Sequence, residues 1–225
     1  MSYLIFDIET IGDSWDNLDP ETQTYLLKYA ETEEKQAEVK STLGLYPLTG
    51  QIVAIGLYDP EKDIKSVYLQ APESQLEASY EKDGIIYILG DESEILQKFW
   101  ATIKKYSTFV TFNGRSFDCP YILMRSAVHK IKPTRNIMPY RYSDKEHIDL
   151  FDQLTFYNTT RRFNLDYFCK RFGIVSPKSK GVTGLDVPMM FQDKQYHQIA
   201  EYCMRDVIAT GELFQIWRDY IKSPI

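Results

Sequence analysis

The chain has 225 residues, of which 44% are hydrophobic and 26% are charged, and its formal net charge is −6. This length and apolar content can bury a full hydrophobic core, which agrees with one soluble domain over residues 1–225. No run of about 18 apolar residues is present and the first strand pattern begins at the N-terminus, so we expect a cytoplasmic protein with no signal peptide and no membrane partner.

The first predicted strand, Tyr3–Phe6, runs directly into two acidic residues, Asp7 and Glu9. Period-two alternation places both carboxylates on one face of the strand and Ile8 on the other. Like charges this close raise each other's pKa, and a divalent cation between them is the usual way to keep both ionised. An Asp-x-Glu sequence also arises by chance in a chain with 32 acidic residues, so the pair alone does not establish a metal site.

The segment that follows this strand is acidic. Between Gly12 and Lys40 there are eight acids and three lysines. Its Asp-Pro-Glu opening and its apolar Tyr25-Leu26-Leu27 run predict one or two solvated helices. We therefore expect an acidic, helical insertion at about residues 12–45.

The next part of the chain has the pattern of strands followed by a helix. Apolar runs predict strands at Ile52–Leu57, Ile64–Leu69 and Ile85–Leu89, a helix at Ser93–Lys105 and a strand at Phe109–Phe112. Early strands that can pair as a meander, followed by alternating helices and strands, indicate an α/β fold with a mixed central β-sheet flanked by helices.

An Asn113-Gly114 turn ends the last of these strands, and Asp118 follows it. The apolar spacing predicts a helix from Phe117 to about His129, which places Asp118 near a helix start, where the helix dipole favours a negative charge. An ordinary helix-start acid explains Asp118 equally well on local grounds.

Further along, a strand is predicted at His147–Leu150, and the remainder is predicted to be helical except for a loop at Ser176–Pro188. Two acids near that strand, Asp149 and Asp152, are interpreted as capping and structural groups. The loop can either close over a substrate or simply connect helices.

The final helical pattern, at about Lys194–Tyr220, carries Tyr202 and Asp206. The two residues are four apart and therefore lie on one helix face, beside an apolar stripe that includes Cys203. A Tyr and an Asp at this spacing also occur by chance in a chain with 17 tyrosines.

Two stretches between Asp118 and Asp206 are basic although the whole chain is acidic. Residues 119–143 hold five cations and no acid, and residues 159–182 hold six cations and one acid. If both stretches converge around one site, they would neutralise phosphates; the alternative is scattered, solvated charge.

The cysteines and histidines do not predict a metal site. Cys119, Cys169 and Cys203 are widely spaced and form no Cys-x-x-Cys pair, so we expect buried thiols rather than disulfides or zinc ligands. The three histidines share no close spacing and are interpreted as structural or exposed.

Taken in order, the acidic motifs resemble those of the DEDD exonuclease superfamily. The motifs read Phe6-Asp7-Ile8-Glu9-Thr10, then Asn113-Gly114-Arg115-Ser116-Phe117-Asp118, then Tyr202-Cys203-Met204-Arg205-Asp206. They look most like the tyrosine-containing subgroup, in particular the stand-alone exonucleases related to the proofreading domain of family-B DNA polymerases. The segments His147-Ile148-Asp149-Leu150 and Lys180-Gly181-Val182-Thr183-Gly184 look similar to that group as well.

This resemblance implies a ribonuclease-H-like (DnaQ-like exonuclease) fold and a two-metal-ion site. It implies that Asp7 bridges both cations, that Glu9 and Asp206 complete the site of the water-activating ion, and that Asp118 supports the second ion. Oxygen ligands favour Mg²⁺ or Mn²⁺ over zinc. Tyr202 is a poor base at its ordinary pKa near 10, so we assign it to orienting the attacking water.

Two further residues of the second motif are expected to position the substrate. Asn113 offers an amide for hydrogen bonding, and Phe117 offers a ring that stacks on or wedges against a terminal base. Phe117 is equally suited to the hydrophobic core.

The leading hypothesis is a metal-dependent 3′ to 5′ exonuclease that acts on nucleic acid, with single-stranded DNA 3′ ends as the expected substrate. An exoribonuclease is the first alternative, because nothing in the motifs reads a 2′-hydroxyl. An inactive nucleic-acid-binding module is the second, and the presence of all four carboxylates and the tyrosine argues against it.

Overall fold

A seven-stranded sheet forms the centre of the computed structural model, which describes residues 2–75 and 77–222. The strands are β1 (Tyr3–Gly12), β2 (Gly50–Asp59), β3 (Ile64–Leu69), β4 (Ser79–Lys82), β5 (Ile85–Leu89), β6 (Thr108–Thr111) and β7 (His147–Asp149). Their order across the sheet is β4-β5-β3-β2-β1-β6-β7. Strands β1, β6 and β7 are parallel neighbours, as are β3 and β5, whereas the pairs β1–β2, β2–β3 and β4–β5 are antiparallel. The predicted mixed sheet is confirmed.

Helices cover both faces of this sheet. They are α1 (Pro20–Leu26), α2 (Glu33–Ser41), α3 (Glu92–Ile103), α4 (Asp118–Val128), α5 (Leu150–Leu154), α6 (Leu165–Phe172), α7 (Val187–Gln192) and α8 (Tyr196–Ile216), with a wider helical turn at Trp217–Ile221. Across residues 2–75 and 77–222, no helix combines the length and the apolar character needed to cross a bilayer.

The alternation of β1 separates two hydrophobic cores. Ile5 belongs to the core beneath α8, whereas Phe6 and Ile8 belong to the core beneath α3 and α4. Successive side chains of a strand point to opposite faces, so Asp7 and Glu9 follow Ile5 onto the α8 face. The sheet thus delivers the acidic motif of β1 to the helix that carries the last motif.

Most predicted elements are present with small shifts. β3 and β5 have the predicted bounds, while β1 and β2 each extend to ten residues. The strand β4 was not predicted, because its sequence Ser-Tyr-Glu-Lys has only one strongly apolar side chain to mark it. The helix predicted over 117–129 is α4, and the long C-terminal helix is α8 with the turn that follows it.

The prediction that the remainder is helical is wrong for residues 130–146 and 155–164, which form turns and irregular chain. The first segment contains Pro133 and Pro139, and proline both lacks a donor and disfavours helical geometry in the residue before it. The second contains three consecutive residues with positive φ, at 156–158, which no helix contains. The expected loop at 176–188 holds two short 3₁₀ turns, Pro177–Lys180 and Gly184–Asp186, before α7 begins.

The acidic segment forms the two helices α1 and α2. Asp19 caps α1 by accepting hydrogen bonds from the backbone N–H groups of Glu21 and Thr22 at 3.1 and 3.0 Å. Every side chain of the two helices is half-buried or exposed. Their helicity therefore rests on capping and local sequence more than on apolar packing.

Candidate active site

Strand β1 carries Asp7 and Glu9 directly before an irregularity in its pairing with β2. The pairing of β1 with β2 shifts register between Glu9 and Thr10, which is the signature of a β-bulge. Glu9 is only 7% exposed. The extra residue is Val53 on β2, between the partners of Glu9 and Thr10, so Asp7 and Glu9 both lie in the regularly paired part of β1.

Helix α8 approaches this part of the sheet closely because Gly56 on β2, the register partner of Asp7, has no side chain. A Cβ at position 56 would lie 2.8 Å from Val207 Cγ2 and 3.0 Å from Cys203 Sγ. The same approach leaves Cys203 Sγ 3.6 Å from the backbone oxygen of Asp7. Close packing at Gly56 thus sets the distance between the first and third motifs.

Asp118 is the first residue of α4 and is almost fully buried. Its Oδ1 accepts a hydrogen bond from the backbone N–H of Ile8 at 3.1 Å, which joins the second motif directly to the first. Its charge also acts on the titration of Asp7 and Glu9. The structure therefore brings Asp7, Glu9, Asp118 and Asp206 together, and we call these four residues the acidic cluster.

The turn between β6 and α4 is held by Asp149 at the end of β7. Its carboxylate accepts hydrogen bonds from the backbone N–H groups of Asn113 at 2.8 Å and Arg115 at 2.9 Å. It also caps α5 by accepting from the N–H of Phe151 at 3.0 Å. The predicted structural role of Asp149 is confirmed, and these bonds stabilise the left-handed backbone of Asn113, where φ is 63°.

Burial raises the pKa of every member of the acidic cluster. The pKa of Asp118 rises to about 7 and that of Asp206 to about 6, in both cases mainly because the carboxylates are desolvated. For Asp7 and Glu9, burial and then the charges of the other members hold the pKa well above its ordinary range. Within the described part of the chain, no Lys, Arg or His side chain forms an ion pair with any of the four.

One group of potential metal-binding atoms stands out among the described residues. One ligand atom each from Asp7, Glu9 and Cys203 lie within 4.8 Å of one another. Burial raises the pKa of the Cys203 thiol well above its ordinary value, so the thiol stays protonated and the useful donors are carboxylate oxygens. Such a donor set fits a hard divalent cation that prefers oxygen.

A cavity of about 470 Å³ opens beside this cluster. Its walls hold three phenylalanine rings and one tyrosine ring, two cations, several polar groups and members of all three motifs, namely Asp7, Phe112, Asn113, Phe151, Arg162, Phe163, Asn164, Leu165, Asp166, Pro177, Lys178, Tyr202 and Asp206. The size suits a small group such as one nucleotide. The sequence reasoning missed the aromatic wall formed by Phe112, Phe151 and Phe163, because these residues lie far apart in the chain and share no motif.

Tyr202 is buried beside Asp206, and a hydrogen bond from its hydroxyl lowers the pKa of the Asp206 carboxyl. The pKa of Tyr202 is raised, mainly by burial and then by the charges of Asp206, Glu9 and Asp7. The phenol is therefore neutral at neutral pH and can donate or accept a hydrogen bond, but it cannot act as a base.

The two substrate-positioning predictions have different outcomes in the structure. Asn113 lines the cavity together with Asp7. Phe117 lies outside the residues that line it and packs against Tyr121, with the ring centroids 5.4 Å apart, at the edge of the core beneath α3 and α4. The packing therefore supports the core alternative for Phe117, while Phe112 supplies a cavity ring.

The expected convergence of both basic stretches is not what the structure contains. In the stretch 119–143, Arg125 binds Glu92 at 2.7 Å, and Arg141 binds Asp152, its Nε lying 2.8 Å from Oδ2. Only the stretch 159–182 reaches the cavity, through Arg162 and Lys178. Two of the five cations of the first stretch, Arg125 and Arg141, are thus paired with acids that lie 33 residues earlier and 11 residues later in the chain, and a count of local charge cannot register such pairs.

The three cysteines are buried free thiols, as predicted. His147 is also buried, with Nε2 2.8 Å from the Thr111 hydroxyl, and burial holds its pKa well below the ordinary value. A buried neutral imidazole of this kind has a structural role, in line with the sequence interpretation.

Comparisons with known proteins agree with this geometry. Residues 87–219 match the sequence model of a family described as a predicted 3′-5′ exonuclease related to the exonuclease domain of PolB. The fold is similar to that of the family B DNA polymerase from the hyperthermophilic archaeon Pyrobaculum calidifontis, with a TM-score of 0.63 and 16% identity over 96% of this chain and 24% of the polymerase. At that identity the likeness concerns the fold alone, and it is consistent with the predicted ribonuclease-H-like architecture.

Two proteins of Methanocaldococcus jannaschii are related in sequence. A DNA polymerase is 30% identical over 79 residues, which cover 29% of this chain and 5% of the polymerase. An uncharacterized protein is 27% identical over 191 residues, which cover 79% of this chain and 92% of that protein. The chain thus spans only a small part of the polymerases but nearly all of the smaller relative.

Proposed function

Because this chain belongs to the family of predicted 3′-5′ exonucleases related to the exonuclease domain of PolB, we propose that it hydrolyses phosphodiester bonds at the 3′ ends of single-stranded DNA. The observation that carries this proposal is the acidic cluster: half-buried Asp7 and Asp206 and buried Glu9 and Asp118, from three separate motifs, meet beside a cavity, and no Lys, Arg or His side chain of the described residues forms an ion pair with them. Residues 1–225 are proposed to act as a single exonuclease domain with an acidic insertion.

We propose that Asp7, Glu9, Asp118 and Asp206 hold two divalent cations, Mg²⁺ or Mn²⁺. The fit rests on the donor set, since buried oxygens with raised pKa values gain most from a hard cation. When bound, such cations lower the pKa of a water molecule and neutralise the charge that develops on the phosphate and the leaving oxygen.

The side chains around the cluster would orient the reactants. Tyr202, neutral and hydrogen-bonded to Asp206, would position the attacking water. Arg162 and Lys178 would bind the phosphates on either side of the scissile bond, and the Asn113 amide would hydrogen-bond the terminal nucleotide. These assignments predict that Tyr202→Phe lowers turnover and leaves substrate binding intact.

The aromatic wall supports a single-stranded substrate. Phe112 and Phe151 meet edge to face with centroids 5.7 Å apart, and both line the cavity with Phe163. A base can stack on such rings only after it leaves the duplex stack. DNA frayed at its end would therefore enter this cavity, and intact duplex would not.

A time course with matched DNA and RNA single strands, labelled at the 5′ end, tests the proposal. The reactions contain Mg²⁺, Mn²⁺ or EDTA and compare the unmodified protein with Asp206→Ala and Tyr202→Phe. We expect a metal-dependent ladder that shortens from the 3′ end, is strongest on DNA and is absent with Asp206→Ala. Faster loss of the RNA strand would favour an exoribonuclease, and salt-sensitive binding without cleavage in either metal would favour an inactive binding module. The cytoplasmic location stays a prediction.

A further inference from the structure

Two exposed tyrosines and one half-buried tyrosine form a group outside the active-site cavity. Tyr140 is 74% exposed and Tyr142 is 60% exposed. Their ring centroids are 5.6 Å apart, and the ring of Tyr142 lies 4.7 Å from that of Tyr157. We call these three residues the tyrosine platform. Large rings in mutual contact at the surface mark a site where another molecule binds more often than they mark an accident of packing.

The platform includes a strained turn. Phe156, Tyr157 and Asn158 have φ angles of 48°, 56° and 69°, so three consecutive non-glycine residues adopt the left-handed conformation. Hydrogen bonds hold the turn: the N–H of Tyr157 donates to the Asp152 carbonyl at 2.7 Å, and the N–H of Asn158 donates to the Thr155 hydroxyl at 3.2 Å. Strain of this kind persists mainly at functional sites.

Arg162 connects this turn to the cavity. Its Nε donates a hydrogen bond to Asn158 Oδ1 at 2.8 Å, and its guanidinium lies 5.4 Å from the centre of the Phe151 ring. Both Arg162 and Phe151 line the cavity. The Arg162 side chain therefore contacts both the strained turn and the Phe151 ring of the aromatic wall.

A second connection runs through the turn of the second motif. Arg115 Nη1 donates a hydrogen bond to the Pro139 carbonyl at 2.8 Å, next to Tyr140. The N–H of Arg115 is itself held by Asp149, which also binds the N–H of the cavity residue Asn113. Hydrogen bonds thus connect both ends of the platform to residues that line the cavity. The end at Tyr140 is connected through Arg115 and Asp149 to Asn113, and the end at Tyr157 is connected through Asn158 to Arg162.

The chemistry of this surface fits one class of ligand. Exposed aromatic rings, with the exposed cations Arg161 and Arg162 close to Tyr157 in the sequence, match a surface on which unpaired bases stack while their phosphates meet positive charge. Tyr140 and Tyr142 lie in the stretch 119–143, which carries five cations and no acid, and Tyr157 lies two residues before the stretch 159–182, which carries six cations and one acid. This excess of cations favours a polyanion over an apolar peptide.

We infer that the tyrosine platform binds the single strand on the 5′ side of the two nucleotides that flank the scissile bond, by stacking its bases on Tyr140, Tyr142 and Tyr157. This inference rests on the proposed nuclease function. The cavity holds the terminal nucleotide, the second nucleotide lies between the cavity and the platform, and the platform holds the strand beyond it. The enzyme would therefore prefer strands long enough to reach the platform over the shortest substrates.

The test compares a thymidine dinucleotide, which is too short to reach the platform, with a thymidine 12-mer, using Tyr140→Ala and Tyr142→Ala. Because the side chains of Tyr140 and Tyr142 are exposed, both variants should fold, as melting temperatures would verify. We expect KM for the 12-mer to rise about tenfold, the value for loss of one stacked base, with kcat and dinucleotide hydrolysis unchanged. Tyr142→Phe keeps the ring and should behave as the unmodified protein.

Tyr25→Ala is the matched control, because Tyr25 is 75% exposed on α1, within the acidic segment. Equal KM values for Tyr142→Ala and Tyr25→Ala on the 12-mer would overturn the platform. Fluorescence anisotropy of a labelled 12-mer in EDTA provides a readout that needs no activity. If the unmodified protein cleaves neither substrate but Tyr142→Ala still weakens binding about tenfold, the nuclease proposal fails and the platform stands. Equal binding of the 12-mer by all variants would overturn the platform, whether or not the protein has nuclease activity.

Discussion

The protein buries acidic side chains on both faces of its sheet, but among the described residues it pairs them with basic side chains on one face only. On the face beneath α3 and α4, the Glu92 carboxylate accepts hydrogen bonds from the N–H of Ile52 at 2.8 Å and from Arg125 at 2.7 and 2.9 Å. His129 Nε2 lies 2.7 Å from the same carboxylate. On the α8 face, the acidic cluster has no ion-pair partner among the described residues, and burial raises all of its pKa values.

The difference separates a structural acid from a functional one. The chain supplies its own counter-charge to Glu92, so this group can contribute to stability without any ligand. It supplies none within ion-pair distance of the acidic cluster, so the folded protein carries an electrostatic cost there that an external cation would relieve. Burial of a carboxylate is therefore informative only together with its partners.

The largest expected effect comes from removing a charge from the acidic cluster. Asp7→Asn should lower nuclease turnover by about a thousandfold or more, because a lost cation ligand removes several kcal/mol of transition-state stabilisation. In EDTA its stability should equal or exceed that of the unmodified protein, since one of several mutually repelling charges is gone. Measurements of kcat and of urea unfolding give the two values. A strongly destabilised Asp7→Asn protein would mean that the carboxylate has a structural partner.

The opposite pattern is expected on the other face. Glu92→Gln leaves Arg125 buried without its carboxylate and should lower the free energy of unfolding by about 3–5 kcal/mol. Turnover per folded molecule at low temperature should remain unchanged. The double variant Glu92→Gln/Arg125→Met should be more stable than Glu92→Gln alone, because no unpaired charge is left. A loss of turnover in folded Glu92→Gln would contradict the assignment of Glu92 as a structural acid and of the acidic cluster as the functional one.

A smaller effect should follow from adding one methyl group beneath α8. Gly56→Ala places a Cβ 2.8 Å from Val207 Cγ2, which should cost about 1–3 kcal/mol of stability and move Tyr202 and Asp206 away from β1. We expect turnover to fall at least about tenfold, since small misplacements of reacting groups are costly. Gly184→Ala is the control, because a Cβ there meets nothing within 4 Å. Equal melting temperatures and activities for the two variants would show that α8 tolerates displacement.

The smallest predicted effect is a pH dependence of stability in EDTA. The pKa values of Asp118, about 7, and Asp206, about 6, lie above the ordinary value of 3.8, so between about pH 4 and 7 the folded protein binds more protons than the unfolded chain. Stability that is present at about pH 4 is then lost as the pH rises through these values.

Denaturant unfolding at pH 5, 6 and 8, with EDTA or Mg²⁺, measures this dependence. Mg²⁺ should remove most of the loss at pH 8, because a bound cation stabilises the ionised carboxylates. Asp7→Asn should flatten the profile in EDTA. A protein that is more stable at pH 8 than at pH 5 in EDTA would contradict the sign.

The sequence by itself determined the elements whose signal is local. Alternation in β1 assigned Asp7 and Glu9 to one face, the i to i+4 spacing placed Tyr202 and Asp206 together on α8, and the turn before Asp118 marked the start of α4. These patterns can be read because the geometry of a strand or a helix relates neighbours in the chain directly. The motif order then identified the family.

Only the tertiary structure decided which distant residues meet. The aromatic wall joins Phe151 of α5 with Phe112 and Phe163 from two separate loops, and Arg125 is neutralised by Glu92, 33 residues earlier in the chain. Neither contact has a local pattern, because packing across the sheet and burial of charge depend on the order β4-β5-β3-β2-β1-β6-β7 rather than on periodicity. For the same reason the net charge of a segment did not predict which cations face the cavity: a charge is available to a ligand only if the fold leaves it without a partner.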